Sequence, residues 1–393
     1  MKKLALVTII GLILSGCGGG GGSDNGSTPK PDINPEAKPA LVEGTIDNYN
    51  SKTNVLTVNN APYDISTLKY ADKTIGKELY NSLLKTSMMV NISKSGVVNL
   101  EPTMVGPISI PNENDRSKFS INGVQLQFTE LSSNIDNGDW VMVSTLPMAT
   151  NVGVGYKVLS VIEVEQGDIF SSYELEGTLS QLDDPKKFTF KLGQVVVDYA
   201  NIQLDPTIGN GDWVEVTGEM IDGAFVATEV EVDNYDDNED FDFDDAEIEG
   251  VVTWINKEKT LFTLNARGQF VINNSTRFED GTRNNLKTGA LVEVTAINGV
   301  AKEIEFDRDH DSDHDQSTWS EFDAEGIVSY VMDSTITLDT FNGVSQTIYV
   351  DNMTRYEDRL TLATLPGKRV EIEGIVRNGQ KIAREIELEE LDD

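Results

Sequence analysis

Short runs in which apolar and polar residues alternate recur along most of the chain after residue 41. Strict alternation over four to eight residues predicts half-buried β-strands, because successive side chains of a strand point to opposite faces. The clearest example has a short loop or single helical turn at 284–288 and strands at 248–255, 260–264, 269–272, 290–297 and 300–306. The pattern therefore predicts an all-β protein.

The same order of strands occurs several times. A Glu-Gly pair opens the strand pattern at Glu43, Glu176, Glu249 and Glu325. Further along, Asp-Gly or Asn-Gly pairs between alternating runs predict tight hairpins at Asp222, Asn298 and Asn378. A degenerate copy lacks the Glu-Gly opening but keeps Gly138-Asp139-Trp140, which matches Gly211-Asp212-Trp213. The chain therefore contains five repeats of about sixty residues.

The order of elements within a repeat is three strands, a short connection and two strands, which is the order of an OB-like five-stranded barrel. We therefore expect five tandem small OB-like barrels after a signal peptide and a flexible tether. The predicted boundaries are 1–16 for the signal peptide, 17–40 for the tether, 41–105 for repeat one, 106–166 for the degenerate repeat two, 173–233 for repeat three, 234–245 for an acidic linker, 246–306 for repeat four, 307–321 for an Asp/His linker, and 322–390 for repeat five.

A Thr-Arg-aromatic signature occurs at Thr276-Arg277-Phe278 and again at Thr354-Arg355-Tyr356. Together with the Glu-Gly openings and the closing Ala-x-Glu-Ile-Glu blocks, it resembles a domain of unknown function found in tandem copies in bacterial envelope lipoproteins. The resemblance covers most of the chain after residue 41, and only loosely repeat two. It implies a small β-barrel fold and supplies no activity.

The first seventeen residues have the features of an export signal. A basic start, Met1-Lys2-Lys3, precedes an apolar run at 4–14 that is too short to span a bilayer, and Leu14-Ser15-Gly16-Cys17 follows. This segment resembles a bacterial lipoprotein signal peptide, which implies that Cys17 is acylated. The alternative is an ordinary secretory signal with an incidental cysteine.

In that family, an Asp directly after the cysteine retains the lipoprotein at the inner membrane. Here Gly18 follows the cysteine, which implies sorting to the outer membrane. The predicted location is therefore the bacterial cell envelope, with a lipid anchor in the outer membrane. Residues 18–40 are rich in Gly, Ser and Pro, so they predict a tether that holds the folded part off the membrane surface.

Composition limits the possible chemistry. The formal net charge is −35, and such a surface repels phosphate backbones, so we expect no nucleic-acid partner. The chain has one cysteine and two histidines, both histidines outside the repeats, so Ser-His and Cys-His mechanisms lack a base. Carboxylate pairs can serve a glycosidase, but among 66 acidic residues some pair is guaranteed by chance. We expect no enzymatic activity and no cofactor, apart from weak Ca²⁺ binding considered below.

Trp140 and Trp213 are candidate contacts with a ligand or partner. The position of Trp213 is occupied by Leu291 in repeat four and by Arg369 in repeat five, so alternation predicts that it faces outward from its barrel. An outward tryptophan can stack on a sugar or a protein partner. The alternative is that it packs against a neighbouring repeat.

Two further groups of charged residues have alternative explanations. Arg277 with Glu279, and Arg355 with Glu357, can form anion pockets or surface ion pairs.

The Asp/His linker supplies candidate metal ligands at Asp307, Asp309, His310, Asp311, Asp313, His314 and Asp315. Alternate aspartates resemble part of a calcium loop, but Ser312 and Thr318 replace its glycine and terminal glutamate. The alternatives are a solvated spacer, a weak calcium site, or a transition-metal site that depends on both histidines.

The sequence thus favours a membrane-anchored, non-enzymatic envelope lipoprotein that acts as a binding or scaffold module through tandem β-barrels. Its expected partners are the membrane, through the N-terminal lipid, and an unknown envelope protein or glycan. The alternative function is calcium or glycan binding by the acidic linkers and the outward tryptophans.

Overall fold

β-strands dominate the described part of the chain. The structure, a computed structural model, describes residues 39–389 except 72, 151–152, 168–169, 183–186, 236–244, 307–319, 352 and 378. Within these residues the one α-helix is a single turn, Tyr80–Leu83, and 3₁₀ turns occupy Lys77–Leu79, Arg283–Asn285 and Leu362–Thr364. None of the helices in these ranges is long and apolar enough to cross a membrane. The all-β prediction is confirmed.

The strands of the first two repeats include a long opening strand and a long hairpin. Repeat one contains β1 (Leu41–Asn50), β2 (Val55–Val58), β3 (Ala61–Asp64), β4 (Thr67–Tyr70), β5 (Lys73–Thr74), β6 (Met89–Ser93) and β7 (Val97–Leu100). Repeat two contains β8 (Met104–Ser109), β9 (Lys118–Ile121), β10 (Val124–Gln127), β11 (Trp140–Thr150) and β12 (Gly153–Glu163).

The last three repeats follow the predicted order closely. Repeat three contains β13 (Tyr173–Ser180), β14 (Thr189–Leu192), β15 (Val195–Asp198), β16 (Trp213–Ile221) and β17 (Ala224–Val232). Repeat four contains β18 (Asp245–Ile255), β19 (Leu261–Leu264), β20 (Gly268–Val271), β21 (Arg277–Glu279), β22 (Leu291–Ile297) and β23 (Val300–Phe306). Repeat five contains β24 (Glu321–Met332), β25 (Thr335–Thr340), β26 (Ser345–Tyr349), β27 (Arg355–Tyr356), β28 (Arg369–Arg377) and β29 (Gln380–Leu388).

Two of the predicted hairpin turns have the backbone conformation that a two-residue turn requires. Asp222 and Gly223 have φ values of 50° and 83°, and Asn298 and Gly299 have values of 51° and 69°. Both residues of such a turn need positive φ, which Asp, Asn and Gly tolerate best. The turn residues therefore determine the register of β16 with β17 and of β22 with β23.

Shared sheets join repeat one to repeat four and repeat two to repeat three. Within repeat four, the strand order is β19, β20, β23, β22 and β18, and β19 also pairs with β18. The same order occurs in repeats three and five. However, β1 of repeat one pairs in parallel with β18 through Leu41↔Ala246 to Glu43↔Ile248. Likewise β8 of repeat two pairs with β13 of repeat three. The first pairing produces a 13-stranded sheet and the second a 10-stranded sheet.

The prediction of five separate OB-like barrels is therefore wrong. The described chain is a β-solenoid of stacked coils, and each repeat is one coil. The physical reason is that the first residues of β1 and β13 leave one strand edge unpaired within their own repeats, and β18 and β8 pair with these edges. An exposed strand edge presents unpaired N–H and C=O groups, and a neighbouring coil satisfies them.

The hydrophobic cores also cross repeat boundaries. The core of repeat one contains Trp140, Met142 and Ile162 of repeat two. Leu41 of β1 belongs to the core of repeat four. Trp254 and Leu261 of repeat four pack with Ile375 and Ile382 of repeat five. The coils therefore stabilise one another by shared apolar burial, as expected when a sixty-residue unit alone is marginal.

Candidate functional site

Coils one, three and four meet at a group of buried polar side chains, which we call the central junction: Glu43, Glu101, Glu174, Glu176, Glu215, Asp233, Tyr235 and Arg267. A cavity of about 30 Å³ lies here and is lined in part by Glu43, Glu176, Trp213 and Arg267. On a scale where one water needs roughly 10–15 Å³, it has room for one or two waters.

Strand alternation places Glu43 and Glu176, the glutamates of two Glu-Gly pairs, at the junction. In β1, Val42 packs in the core of repeat one, whereas Leu41 packs in that of repeat four. Glu43 has the same parity as Leu41, so it also points away from its own core. In β13, Leu175 lies in the core and Glu174 and Glu176 lie on the other face. Glu43 and Glu176 therefore face a neighbouring coil, whereas the equivalent Glu325 of repeat five is exposed.

Arg267 connects three parts of the chain. Its Nη1 donates to Glu43 Oε1 at 2.9 Å and its Nη2 donates to Asp233 Oδ1 at 2.5 Å. Its guanidinium carbon lies 4.9 Å from the ring centroid of Tyr235, whose hydroxyl donates to Glu43 Oε1 at 3.1 Å. The side chains of Arg267 and Glu43 are only 12% and 1% exposed. One guanidinium thus ties coil four to coil one and to the end of coil three.

Two more carboxylates are held by aromatic donors. The hydroxyl of Tyr70, in coil one, donates to Glu174 Oε2 at 2.6 Å. The Nε1 of Trp213 donates to Glu176 Oε2 at 3.1 Å. Because Glu174 and Glu176 belong to β13, the Tyr70 contact is a second polar link between coils one and three.

The junction holds six carboxyl groups and one guanidinium among the described residues, and its pKa values reflect that imbalance. Burial, followed by the charge of Glu215, raises the pKa of Glu174 well above its usual range. Burial and then Asp233 do the same for Glu176, and burial raises the pKa of the half-buried Glu101. For Glu215, burial and the neighbouring Asp233 raise the pKa to about 7. The junction therefore retains protons near neutral pH.

Two polar atoms of the junction lack a protein partner and can bind a water. Glu43 Oε2 and Arg267 Nε are buried without a protein hydrogen-bond partner, and a water in the cavity can serve both as donor and acceptor. No group of three or more metal-ligating side chains suited to an ion occurs in the described ranges. The geometry is that of a buried polar contact between coils.

Trp140 and Trp213 are buried, as the alternative of packing against a neighbouring repeat requires. They are 9% and 4% exposed. Their predicted direction is correct, since Val141 and Val214, which follow them, pack in the core shared by repeats two and three. Trp140 packs edge-on against Tyr173 of repeat three with ring centroids 5.1 Å apart, and Trp213 lines the cavity together with Met89 of repeat one. The open stacking surface that a glycan contact requires is therefore missing at both positions.

The Thr-Arg-aromatic segments form exposed ion pairs. Arg277 Nη2 lies 3.2 Å from Glu279 and 2.5 Å from Glu303, with the arginine side chain 62% exposed. Arg355 pairs with Glu357 in the same way. Such surface pairs contribute at most about 1 kcal/mol each.

Several predicted residues lie outside the described part of the chain. They are the lipidation residue Cys17 and the candidate metal ligands Asp307, Asp309, His310, Asp311, Asp313, His314 and Asp315. Conversely, the roles of Arg267, Asp233 and Tyr235 were missed by the sequence analysis. The available signal was the recurrence of glutamate at the same strand position in Glu43, Glu176 and Glu249, within otherwise apolar strands.

Comparison with known proteins finds a family model and a weak structural likeness. Residues 176–231, 249–305 and 325–387 match the model of a domain of unknown function, DUF5666. These three matches fit tandem small domains. A solved structure described as drosophila Unr CSD456 is 18% identical, with 55% of this chain and 97% of that chain covered, and its TM-score is 0.15. At this TM-score the likeness supports no conclusion about the fold or the function of this chain. No curated protein matches the chain significantly.

Proposed function

We propose that this chain is a non-enzymatic binding or scaffold module of the bacterial cell envelope, held at the membrane through a lipid on Cys17. The observation that carries the proposal is the interlocking of coils by shared sheets, shared cores and the Arg267 contacts. A stack joined in this way presents its outer surfaces at fixed positions, as a scaffold requires.

The junction supports a structural role rather than a catalytic one. Glu43, Glu174 and Glu176 are less than 9% exposed, and each accepts a hydrogen bond from an arginine, tyrosine or tryptophan. The cavity beside them has a volume of about 30 Å³, whereas typical ligand pockets have volumes of several hundred Å³. Carboxylates engaged in this way hold coils together.

The lipid anchor is proposed from the sequence Leu14-Ser15-Gly16-Cys17 and from the tether that follows it. A tether of 23 residues spans roughly 25–30 Å as a flexible coil, enough to separate the stack from the headgroups. More than one acyl chain makes such attachment stable, whereas a single chain is marginal.

Cys17→Ser should abolish membrane attachment by lipid. We expect wild-type protein to stay with the membrane fraction after a high-salt wash and to incorporate labelled palmitate, and the variant to lose the label entirely. Ser23→Ala, in the tether, is the matched control and should behave like wild type. Equal labelling of wild type and Cys17→Ser would refute the anchor.

The binding role is tested in intact envelopes by chemical cross-linking followed by purification of the wild-type chain. We expect reproducible cross-linked species that involve repeat surfaces. If the chain is recovered without any cross-linked species, and purified chain instead hydrolyses a panel of glycosides, the module is an enzyme and the proposal fails.

A further inference from the structure

Each repeat begins with a strand that we call its opening strand: β1, β8, β13, β18 and β24. The first residues of four of these strands pair with the opening strand of another repeat. Residues 41–43 of β1 pair with residues 246–248 of β18, and residues 104–105 of β8 pair with residues 174–175 of β13. The edge at the start of an opening strand is therefore an established place of contact between coils.

The same edge of the fifth opening strand, β24, is open in the described part of the chain. The Glu-Gly pairs align Glu325 with Glu249, so residues 321–325 of β24 correspond to the stretch of β18 that pairs with β1. Residues 321–325 pair with β28 on one side. On the other side, pairing with β25 begins only at Gly326. One edge of this stretch thus has no partner strand among the described residues.

The backbone of this edge lacks the hydrogen bonds that its equivalents make. The ladder to β28 uses the even-numbered residues of β24, so the N–H and C=O groups of Glu321, Asp323 and Glu325 point away from β28. In β13 the equivalent of Glu325 is Glu176, whose N–H donates to Thr103 O of coil two at 2.9 Å. No described residue hydrogen-bonds to the outward backbone groups of the three acids in β24. Such an edge is a template for one more strand.

The open edge is acidic on one face and apolar on the other. The side chains of Glu321, Asp323 and Glu325 are exposed. Ala324 belongs to the core of repeat five, and Phe322 packs against that core. In an added strand, every second side chain would lie beside the acids, and the others would lie beside the apolar residues. A strand in which lysine or arginine alternates with apolar residues therefore matches this edge.

The acidic face continues across the sheet beyond the edge. Directly paired acids form two rows over β24, β28 and β29, namely Asp323↔Glu373↔Glu385 and Glu325↔Glu371↔Glu387. Like charges directly opposite one another destabilise a sheet. Burial, followed by the charges of Glu385 and Glu371, raises the pKa of Glu387 to about 7. Lys257 of coil four offsets part of this charge, since its Nζ lies 3.4 Å from Glu371 and 4.0 Å from Asp323. Further cations along the open edge would lower the repulsion more.

We propose that the open edge of β24, residues 321–325, binds an extended basic segment of a partner protein, which adds to the sheet of coil five as a strand. The inference rests on the proposed binding role and names the chemistry of the partner. Its support is the charge of the edge and continuity with the two internal contacts, in which another strand fills the equivalent edge. A second copy of this chain is a poorer occupant, because its own β24 would place the same acids beside these acids.

Binding of a short synthetic peptide to the purified full-length chain in detergent tests the proposal. The probe is a fluorescent peptide of alternating lysine and valine with blocked ends, and fluorescence anisotropy measures its binding. We expect saturable binding that weakens as NaCl is raised from about 0.02 M to about 0.3 M, because salt screens the attraction. The same peptide with glutamate in place of lysine should not bind. A lysine–valine peptide with methylated backbone nitrogens should bind at least about tenfold more weakly, since it cannot donate to the edge.

Substitutions of Asp323 separate backbone pairing from charge. Asp323→Asn keeps the outward N–H and should weaken peptide binding about two- to fivefold, as expected for the loss of an exposed ion pair. Asp323→Pro also removes that N–H, which points away from β28, and should weaken binding at least about tenfold. Glu219→Gln, at an exposed position of coil three, is the charge-matched control and should bind the peptide like wild type. Circular dichroism checks that each variant keeps its β-structure.

Hydrogen exchange locates the bound strand. We expect the amides of Asp323 and Glu325 to exchange rapidly in the free chain and to become protected when the lysine–valine peptide is bound. Protection in the free chain would show that another segment of this chain covers the edge. Association of the chain with itself through this edge would show that the occupant is a second copy. Either result overturns the inference.

The inference also fails if the lysine–valine peptide does not bind, if the glutamate peptide binds as tightly, or if Asp323→Pro binds like wild type. None of these results alters cross-linking through other surfaces in intact envelopes or palmitate labelling of Cys17. The proposed function is therefore tested separately from this edge.

Discussion

Replacing Arg267 by methionine should lower the free energy of unfolding by about 3–5 kcal/mol. The substitution leaves the carboxylates of Glu43 and Asp233 without their cation in a site where Glu43 is 1% exposed. Removing one partner of a buried ion pair leaves an uncompensated buried charge, which is the costly case. Urea denaturation followed by tryptophan fluorescence measures the change, since Trp213 lines the same cavity.

Arg277→Met in the same coil is the matched control. Arg277 also contacts two carboxylates, Glu279 and Glu303, but its side chain is 62% exposed. Solvent screening makes such pairs worth less than about 1 kcal/mol, so the control should unfold almost like wild type. Equal losses for the two variants would show that the central junction contributes no more than a surface ion pair.

Stability should fall as pH rises from 5 to 8. Glu215 has an ordinary pKa of 4.5, which burial and Asp233 raise to about 7 in the folded chain. Between these values the folded state binds more protons than the unfolded state, so the free energy of unfolding decreases with increasing pH. The stabilisation is complete below pH 4.5 and is lost as pH passes 7. Because Glu215 is half-buried, solvent reduces the free energy that corresponds to this pKa shift. We therefore expect the free energy of unfolding to fall by about 2 kcal/mol.

Glu215→Gln removes this titration and should flatten the pH dependence. At pH 8 the variant should be more stable than wild type, because the neutral amide avoids repulsion from Asp233, Glu231 and Glu229. Glu219→Gln, at an exposed position of the same strand, should leave the slope unchanged. Chemical denaturation at four pH values between 5 and 8 provides the comparison. A wild type whose stability rises over this range would contradict the assignment of protons to the junction.

Local features of the fold could be predicted from the sequence. The alternation at 290–297 and 300–306 corresponds to β22 and β23, and the Asn298-Gly299 pair has the positive φ values of a tight hairpin. These features depend on residues a few positions apart, and their physical causes are steric and local. The direction of Trp213 was predictable for the same reason.

The arrangement of coils could not be predicted in this way. Leu41 and Val42 are adjacent apolar residues, yet they pack in the cores of different repeats. The contact of Glu43 with Arg267 joins residues 224 positions apart, and no spacing rule identifies such a pair. Alternation indicates which side of a strand faces away from its own core. It does not indicate whether water or another coil covers that side.

The parallel pairing of β1 with β18 imposes an order on folding. Residues 41–43 pair with residues 246–248, so this edge of β1 stays open until about two hundred further residues have emerged during synthesis. Contacts of such large sequence separation form slowly, because the entropy of closing a long loop opposes them. During that interval the open edge is a template for pairing with other chains. The nascent chain is therefore most vulnerable to aggregation before repeat four emerges, and a general chaperone would protect it most effectively at that stage.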